Sequence, residues 1–275
     1  MKKITLAVVA CLAMAMLAGC SSGTSSSSAS SSDTESASAS AASESASSNA
    51  DFSDINLEGY KCVDISHLVE SEMPADPALK LPEIDFFAEI SSGDSDYNLE
   101  TISYCPHTGT HMDAPYHVLK DEGTIESVDS PVLLGPACII RLDVDGDYEI
   151  TAQDVKDWEA EHGDIQKGEA VMFDTNHDKI WESDPEGYIS EYPHLAKETA
   201  EYLVEKGARF VGCEAISPDT TEPVCHKILL GGGCEVVENV CNLDQVEADR
   251  CYIIATFANV QGSTGVWTRL LAYYK

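Results

Sequence analysis

The chain has 275 residues, 48 acidic side chains against 16 basic ones, and a formal net charge of −32. So acidic a surface repels the phosphate backbone of nucleic acids and anionic lipid headgroups, which excludes both as partners. Ten cysteines are present, but none forms a CxxC pair, so no zinc-type thiolate spacing is offered.

Met1–Cys20 is organised as a targeting segment. Lys2 and Lys3 supply a positive start, Ile4–Leu17 an apolar run, and Leu17-Ala18-Gly19-Cys20 a small-residue cleavage site. The apolar run is short for a membrane span. The ending resembles a bacterial lipobox, which implies a signal peptide over residues 1–19 and lipidation at Cys20. Residues 21–50 are serine-rich and hold no large apolar side chain, so they cannot bury enough surface to offset their ordering entropy. A flexible tether of this length reaches about 30 Å. The expected location is therefore the outer side of a bacterial membrane, touched only through the lipid anchor.

From Asp51 to Lys275 the composition is that of one globular domain. Its eight cysteines run from Cys62 to Cys251, and several sit in apolar runs as small buried groups. Strands are expected at 61–66, 85–89, 99–104, 137–144, 170–174, 210–213, 235–238, 252–256 and 266–273 from β-branched and aromatic enrichment. Two helices stand out. Residues 151–162 open with Thr151 and Asp154, spaced as a capping box, and stop at Gly163. Residues 194–206 follow Pro193, place Leu195, Leu203 and Val204 near helical spacing, and stop at Gly207. Helices alternating with short apolar strands predict a mixed α/β layer architecture.

The densest chemistry lies in Cys105–Val118, CPHTGTHMDAPYHV. Thr108, Gly109 and Thr110 are poor helix formers, and Pro115 biases Ala114 to an extended backbone. The expectation is a tight loop, opened by Gly109, that gathers His107, His111 and Asp113 around one point. Imidazole and carboxylate are ligands that borderline divalent metals take, so a metal site is expected here. Cys105 and Cys225 stand close enough in sequence to the candidates to be considered as thiolate ligands. A second stretch, Glu222–Leu243, carries His226, a glycine turn at 231–233 and a strand bearing Glu235 and Glu238. Glu238 is flanked by Val237 and Val240, and a carboxylate buried there needs a partner or a metal.

These motifs resemble the metal-dependent cyclase-type hydrolases, which include bacterial kynurenine formamidase and isatin hydrolase. The family signature His-x-Gly-Thr-His-x-Asp-x-Pro-x-His is matched at every fixed position from His107 to His117. His226, the Glu238-Asn239-Val240-Cys241-Asn242-Leu243 run and Asp64-Ile65-Ser66-His67 resemble further family motifs. The resemblance implies a swivelling β/β/α-type α/β domain with a mixed sheet and a few packed helices, commonly a homodimer. It makes His107, His111 and Asp113 ligands of one ion, zinc or manganese. His226 and Glu238 would complete a second site bridged by Asp113, so one or two ions are implied. His117 corresponds to the catalytic histidine. Two departures, Glu214 for an expected Asp and Asn176-His177 for Gly-Trp, are expected to touch the pocket or its surroundings.

A divalent ion supplies hydroxide near neutral pH, and a histidine has the right pKa to move protons to a leaving nitrogen. The expected activity is hydrolysis of a C–N bond in a small amide, formamide or cyclic amide, with Tyr116 and Trp181 as candidate pocket aromatics. The competing class is a surface lipoprotein that captures a metal or solute without catalysis; it gives His117 no role beside a full ligand set.

Overall fold

The computed structural model describes residues 57–275. These lie within one compact unit, Ile55–Lys275, while the other unit, Met1–Asp54, falls outside the described residues. The signal segment, Cys20 and the serine-rich tether therefore lie outside them too.

Five strands come first in the chain: β1 (Lys61–Asp64), β2 (Glu83–Ala88), β3 (Leu99–Ser103), β4 (His111–Asp113) and, after the short helix α1 (Ser130–Leu133), β5 (Leu134–Arg141). Then follow β6 (Glu149–Ile150), α2 (Ala152–His162), β7 (Ala170–Asp174), α3 (Pro185–Ser190), β8 (His194–Leu195) and α4 (Lys197–Lys206). The chain continues through β9 (Phe210–Cys213), α5 (Val224–Gly231), β10 (Glu235–Glu238), β11 (Arg250–Thr256), β12 (Gly265–Trp267) and β13 (Arg269–Tyr274). The expected α/β class, with a mixed sheet and a few helices, is the one observed.

Nine strands form one sheet in the order β1-β13-β11-β5-β7-β9-β10-β4-β12. Its centre, β5-β7-β9-β10, is parallel, and both flanks are antiparallel. Parallel strands reached by helical crossovers are covered on both faces and read as unbroken apolar runs. Alternation sorts those runs cleanly. Cys138, Ile140, Val171, Phe173, Val211 and Val236 meet α2, α4 and α5 on one side. Ala137, Ile139, Ala170, Met172 and Val237 point into the other core with Met112, Ile253 and Leu270. Each fully buried Val, Ile, Leu, Met or Phe among them contributes roughly 1.5–3 kcal/mol.

The sheet curls. Strands β12 and β13 lie towards opposite ends of the order, yet only Thr268 separates them in the chain. Ser66 bridges to Val240, and Ile65 links both ends by donating to Leu270 O (3.0 Å) and accepting from Cys241 N (3.2 Å).

Three local expectations need correction. Residues 194–206 are not one helix: His194 and Leu195 pair in parallel with Glu149 and Ile150, so α4 begins only at Lys197. Residues 266–273 are not one strand, because Thr268 donates to Thr110 O (3.0 Å) at the point where the chain leaves one partner for another. His111–Asp113 is not loop but the strand β4, held between β10 and β12. The apolar run after Pro223, for which no element is expected from sequence, is the helix α5. By contrast, the capping box of α2 is present, with Thr151 N donating to Asp154 Oδ2 (2.7 Å) and Asp154 N to Thr151 Oγ1 (3.3 Å).

Candidate active site

The site is built where β4, β10 and the start of α5 meet. Gly109, at φ +60°, makes the turn that leads into β4. Alternation along β4 sends Met112 into the apolar core and puts His111 and Asp113 together on the opposite face. The register sets Glu238 of β10 opposite His111. Helix α5, anchored by the buried Leu229 and Leu230, carries His226 to the same point.

Five of the predicted residues converge. His111 Nε2 lies 3.4 Å from Asp113 Oδ1 and 3.2 Å from Glu238 Oε2. His226 Nε2 lies 3.3 Å from Asp113 Oδ2 and 3.0 Å from Glu238 Oε1. His107 Nδ1 is 2.8 Å from Asp113 Oδ1, and its Nε2 is 2.8 Å from Thr264 Oγ1. The ring of His107 packs on backbone: a Cβ on Gly265 would stand 2.7 Å from its Cε1.

Both inner histidines are oriented from behind. His111 Nδ1 donates to Gly109 O (2.8 Å), an acceptor only, so Nε2 of the neutral ring carries the lone pair. His226 Nδ1 contacts Asp219 Oδ2 at 2.7 Å. Asp219 also caps α5, accepting from Cys225 N (2.7 Å) and His226 N (3.0 Å), where a negative charge complements the helix dipole. Burial works to raise the Asp219 pKa, but the His226 ring and these amides hold it below the usual carboxylate range.

The electrostatics are those of a donor set. Burial disfavours a charged His111, yet Asp113 and Glu238 outweigh it and push its pKa up to about 10. His226 is raised by the same carboxylates and Asp219 against its burial. Burial opposes ionisation of Asp113 and Glu238 too, but the histidines hold both below their ordinary values. Among the described residues, four buried atoms, His111 Nε2, Asp113 Oδ2, His226 Nε2 and Glu238 Oε1, meet hydrogen-bond geometry with no partner, close as they stand to one another. Uncompensated buried lone pairs of this kind are costly, and a divalent cation among them removes the cost. The residues present therefore fit a metal. Two triads of donor atoms lie within 4.8 Å of one another: His111 with Asp113 and Glu238, and His107 with Asp113 and His117.

His117 is placed differently from the rest. Its ring stacks on His107, centroids 3.9 Å apart, and is open to solvent on the cleft side. The surrounding protein lowers its pKa below the usual histidine value, with Asp113 opposing. A cleft of about 290 Å³ opens over it, lined by Pro74, Leu79, His107, His117, Tyr192 and His226 among others.

Several expectations move. Trp181 is buried in a small separate core and Tyr116 is exposed, and neither lines this cleft; Tyr192, which nothing in the sequence marked, does. Cys225 donates to Leu195 O (3.3 Å) with its thiol pKa pushed up by burial, and no cysteine joins the donor triads among the described residues. The eight cysteines from Cys62 to Cys251 are all free thiols. Glu214 and His177 stand behind the cleft rather than in its lining. Glu214 accepts from Thr175 N (2.9 Å), Thr175 Oγ1 (3.0 Å) and His177 N (3.1 Å). Burial, with Asp178 and Asp174 nearby, pushes its pKa up to about 8. Its backbone oxygen accepts from Tyr188, whose hydroxyl also reaches Asn239 Oδ1 (3.0 Å), and Asn239 Nδ2 donates to Gly109 O (3.1 Å).

A protein-family model described as "Putative cyclase" matches residues 63–220, more than half of the chain. The chain belongs to the cyclase family. An isatin hydrolase of Roseibium aggregatum is 30% identical over 226 residues, covering 73% of this chain and 85% of the relative. A kynurenine formamidase of Bacillus mycoides is 28% identical over 191 residues, covering 67% of this chain and 83% of the relative. The crystal structure of an isatin hydrolase bound to the product analogue thioisatinate superposes with a TM-score of 0.73 at 26% identity, covering 79% of this chain and 93% of that one. With this kinship and this donor set, the cyclase-family chain is a metal-dependent hydrolase.

Proposed function

We propose that the chain hydrolyses the C–N bond of a small amide, formamide or cyclic amide, with His107, His111, Asp113, His226 and Glu238 holding one or two zinc or manganese ions and His117 moving the proton. A divalent ion in that pocket supplies Lewis acidity, acidifying water and polarising an acyl carbonyl. His117 then accepts a proton from the attacking water and delivers it to the departing nitrogen. The observation that carries this reading is the position of His117: it faces the cleft, and among the described residues no hydrogen bond holds either of its ring nitrogens. Proton transfer needs such freedom; the other site histidines are tied down through Nδ1.

The named activities of the isatin hydrolase and kynurenine formamidase relatives support a substrate drawn from cyclic amides and formamides. The test pairs metal analysis of the purified protein by mass spectrometry with a hydrolysis screen of formamides, lactams and isatin-like rings. Turnover that depends on metal supports the proposal. Stoichiometric metal with no hydrolysis across the panel would favour the capture reading.

We also propose that the domain is exported and anchored at Cys20. Lys2, Lys3, the apolar run to Leu17 and the Leu-Ala-Gly-Cys ending support this. No helix among the described residues is long and apolar enough to cross a membrane. Palmitate labelling that disappears in Cys20→Ala is the expected result, and absence of labelling in the parent would overturn it.

A further inference from the structure

The cleft over His117 does not end at Tyr192. A second cavity, of about 430 Å³, adjoins it, and the two share Tyr192, Thr220 and Thr221 as lining. Asp147, Ser190 and His194 line the far cavity alone. Three separate segments thus meet there: the turn before β6, the stretch from the end of α3 into β8, and the loop before α5.

The partition between the cavities is held in place. Tyr192 donates its hydroxyl to Asp219 O (3.0 Å), on the residue whose carboxylate meets His226 Nδ1. His194 is fixed by the pairing of β8 with β6, and its Nδ1 stands 3.1 Å from Asp147 Oδ1 and 3.4 Å from Tyr192 O. The far cavity is therefore built on a strand pair and on the cap of α5, not on a loose loop.

Its charges are one-sided. Asp76 lines the near cavity and Asp147 the far one, and among the described residues no lysine or arginine lines either. Asp113, Asp219 and Glu238 are already engaged with histidines, whereas Asp76 and Asp147 are exposed. A cleft lined by one sign of charge concentrates the field and enriches ligands of the opposite sign. Ser190, Thr220 and Thr221 add hydroxyl oxygens that accept from N–H donors. Size points the same way. The near cavity alone is at the small end of ligand sites, which span roughly 300–1,000 Å³, and the two together lie well inside that range.

We propose that the far cavity is a subsite for a cationic, amine-bearing substituent of the compound that occupies the cleft, with Asp147 as its counter-charge and Asp76 at the near rim. This rests on the hydrolase reading of the site beside His117 and narrows it: the preferred substrate is an amide that carries an aliphatic ammonium group away from the scissile bond. A carboxylated tail would meet Asp76 and Asp147 as like charges, and an uncharged tail gains from neither.

The test compares formanilides with para-aminoethyl, para-propyl and para-carboxyethyl tails on the metal-loaded chain at low ionic strength. The expected kcat/KM for the aminoethyl compound is roughly tenfold above that of the propyl compound, the difference lying in KM, with the carboxyethyl compound lowest. Added salt should shrink the preference, because exposed charges are screened. In Asp147→Asn the aminoethyl-to-propyl ratio should fall by about threefold or more. Each ratio is taken within one preparation, so any loss of folded protein cancels. Equal kcat/KM for the three tails, or a preference that survives Asp147→Asn unchanged, overturns the subsite and leaves hydrolysis standing. If none of the compounds is hydrolysed, calorimetric titration of the same three decides. Tighter binding of the aminoethyl compound, lost in Asp147→Asn, upholds the subsite while the hydrolase reading fails; equal binding overturns the subsite as well.

Discussion

The imidazole of His117 lies face to face with that of His107, 27° from parallel, while the His226 ring stands at 63° to it with centroids 5.6 Å apart. One ring of this stack is fixed by Asp113 and Thr264, and the other has no such tether among the described residues. Replacing His117 with Ala should therefore leave metal content unchanged while lowering kcat by roughly 100-fold or more. Metal analysis and steady-state kinetics on one preparation check both halves. Loss of metal in this variant would move His117 into the ligand set with His107 and Asp113.

Gly265 sits in β12 opposite Asp113, where the His107 ring leaves no room for a side chain. Gly265→Ala should displace that ring and weaken metal binding by about tenfold or more, although Gly265 offers no donor atom. Competition for metal against a chelator of known affinity reads this directly. Unaltered affinity would show that His107 can shift without cost.

Asp219→Asn removes the carboxylate behind His226 and leaves a side chain of the same shape. Metal affinity should fall by about 10–100-fold, the usual effect of losing the group that orients a ligating histidine. Because Asn retains capping ability at α5, thermal stability of the metal-free protein should change far less. Equal losses in both measurements would mean that Asp219 serves the helix alone.

The Glu214 carboxyl, raised to about 8 by burial and by Asp178 and Asp174, links folding to pH in a definite sense. Between its ordinary value of 4.5 and about 8, the folded protein keeps a proton that the unfolded chain has released. This group's stabilising contribution is thus complete below pH 4.5 and is lost as pH rises towards 8, by up to about 1.4 kcal/mol per unit. Asp174 is raised in the same direction. Glu214→Gln should flatten the slope, so the stability difference between variant and parent grows with pH across that window. Denaturant unfolding at a series of pH values measures it; a constant difference would contradict the raised pKa.

The parts of this architecture legible in the sequence are those decided locally. The capping box of Thr151 and Asp154 and the stops at Gly163 and Gly207 involve residues a few positions apart, and they appear as read. The convergence of His107, His111 and Asp113 was legible for the same reason. The strand at His111–Asp113 was not, because Gly109, Thr110 and Pro115 read as loop while β10 and β12 impose extension from outside. The break at Thr268 carries no punctuation, since both sides are apolar and extended; only the change of partner reveals it. Helix α5 was hidden because a short apolar run has no period to distinguish helix from strand. Asp219, Thr264 and Tyr192 reach the site across loops, a relationship that sequence spacing does not encode.

The single-residue join at Thr268 bears on how the site moves. Strand β4 has only three residues and stands one place from the end of the sheet, where local opening normally begins. Here the outermost strand β12 runs directly into β13, and the pairing beside β4 continues past it as Ala114 N donates to Thr264 O (2.9 Å) and Thr268 N to Thr110 O. To peel β12 from β4 is to pull on a strand bonded to both β1 and β11. The amides around His111 and Asp113 should accordingly exchange with deuterium as slowly as those of the central parallel strands, so the site opens only when the whole domain does.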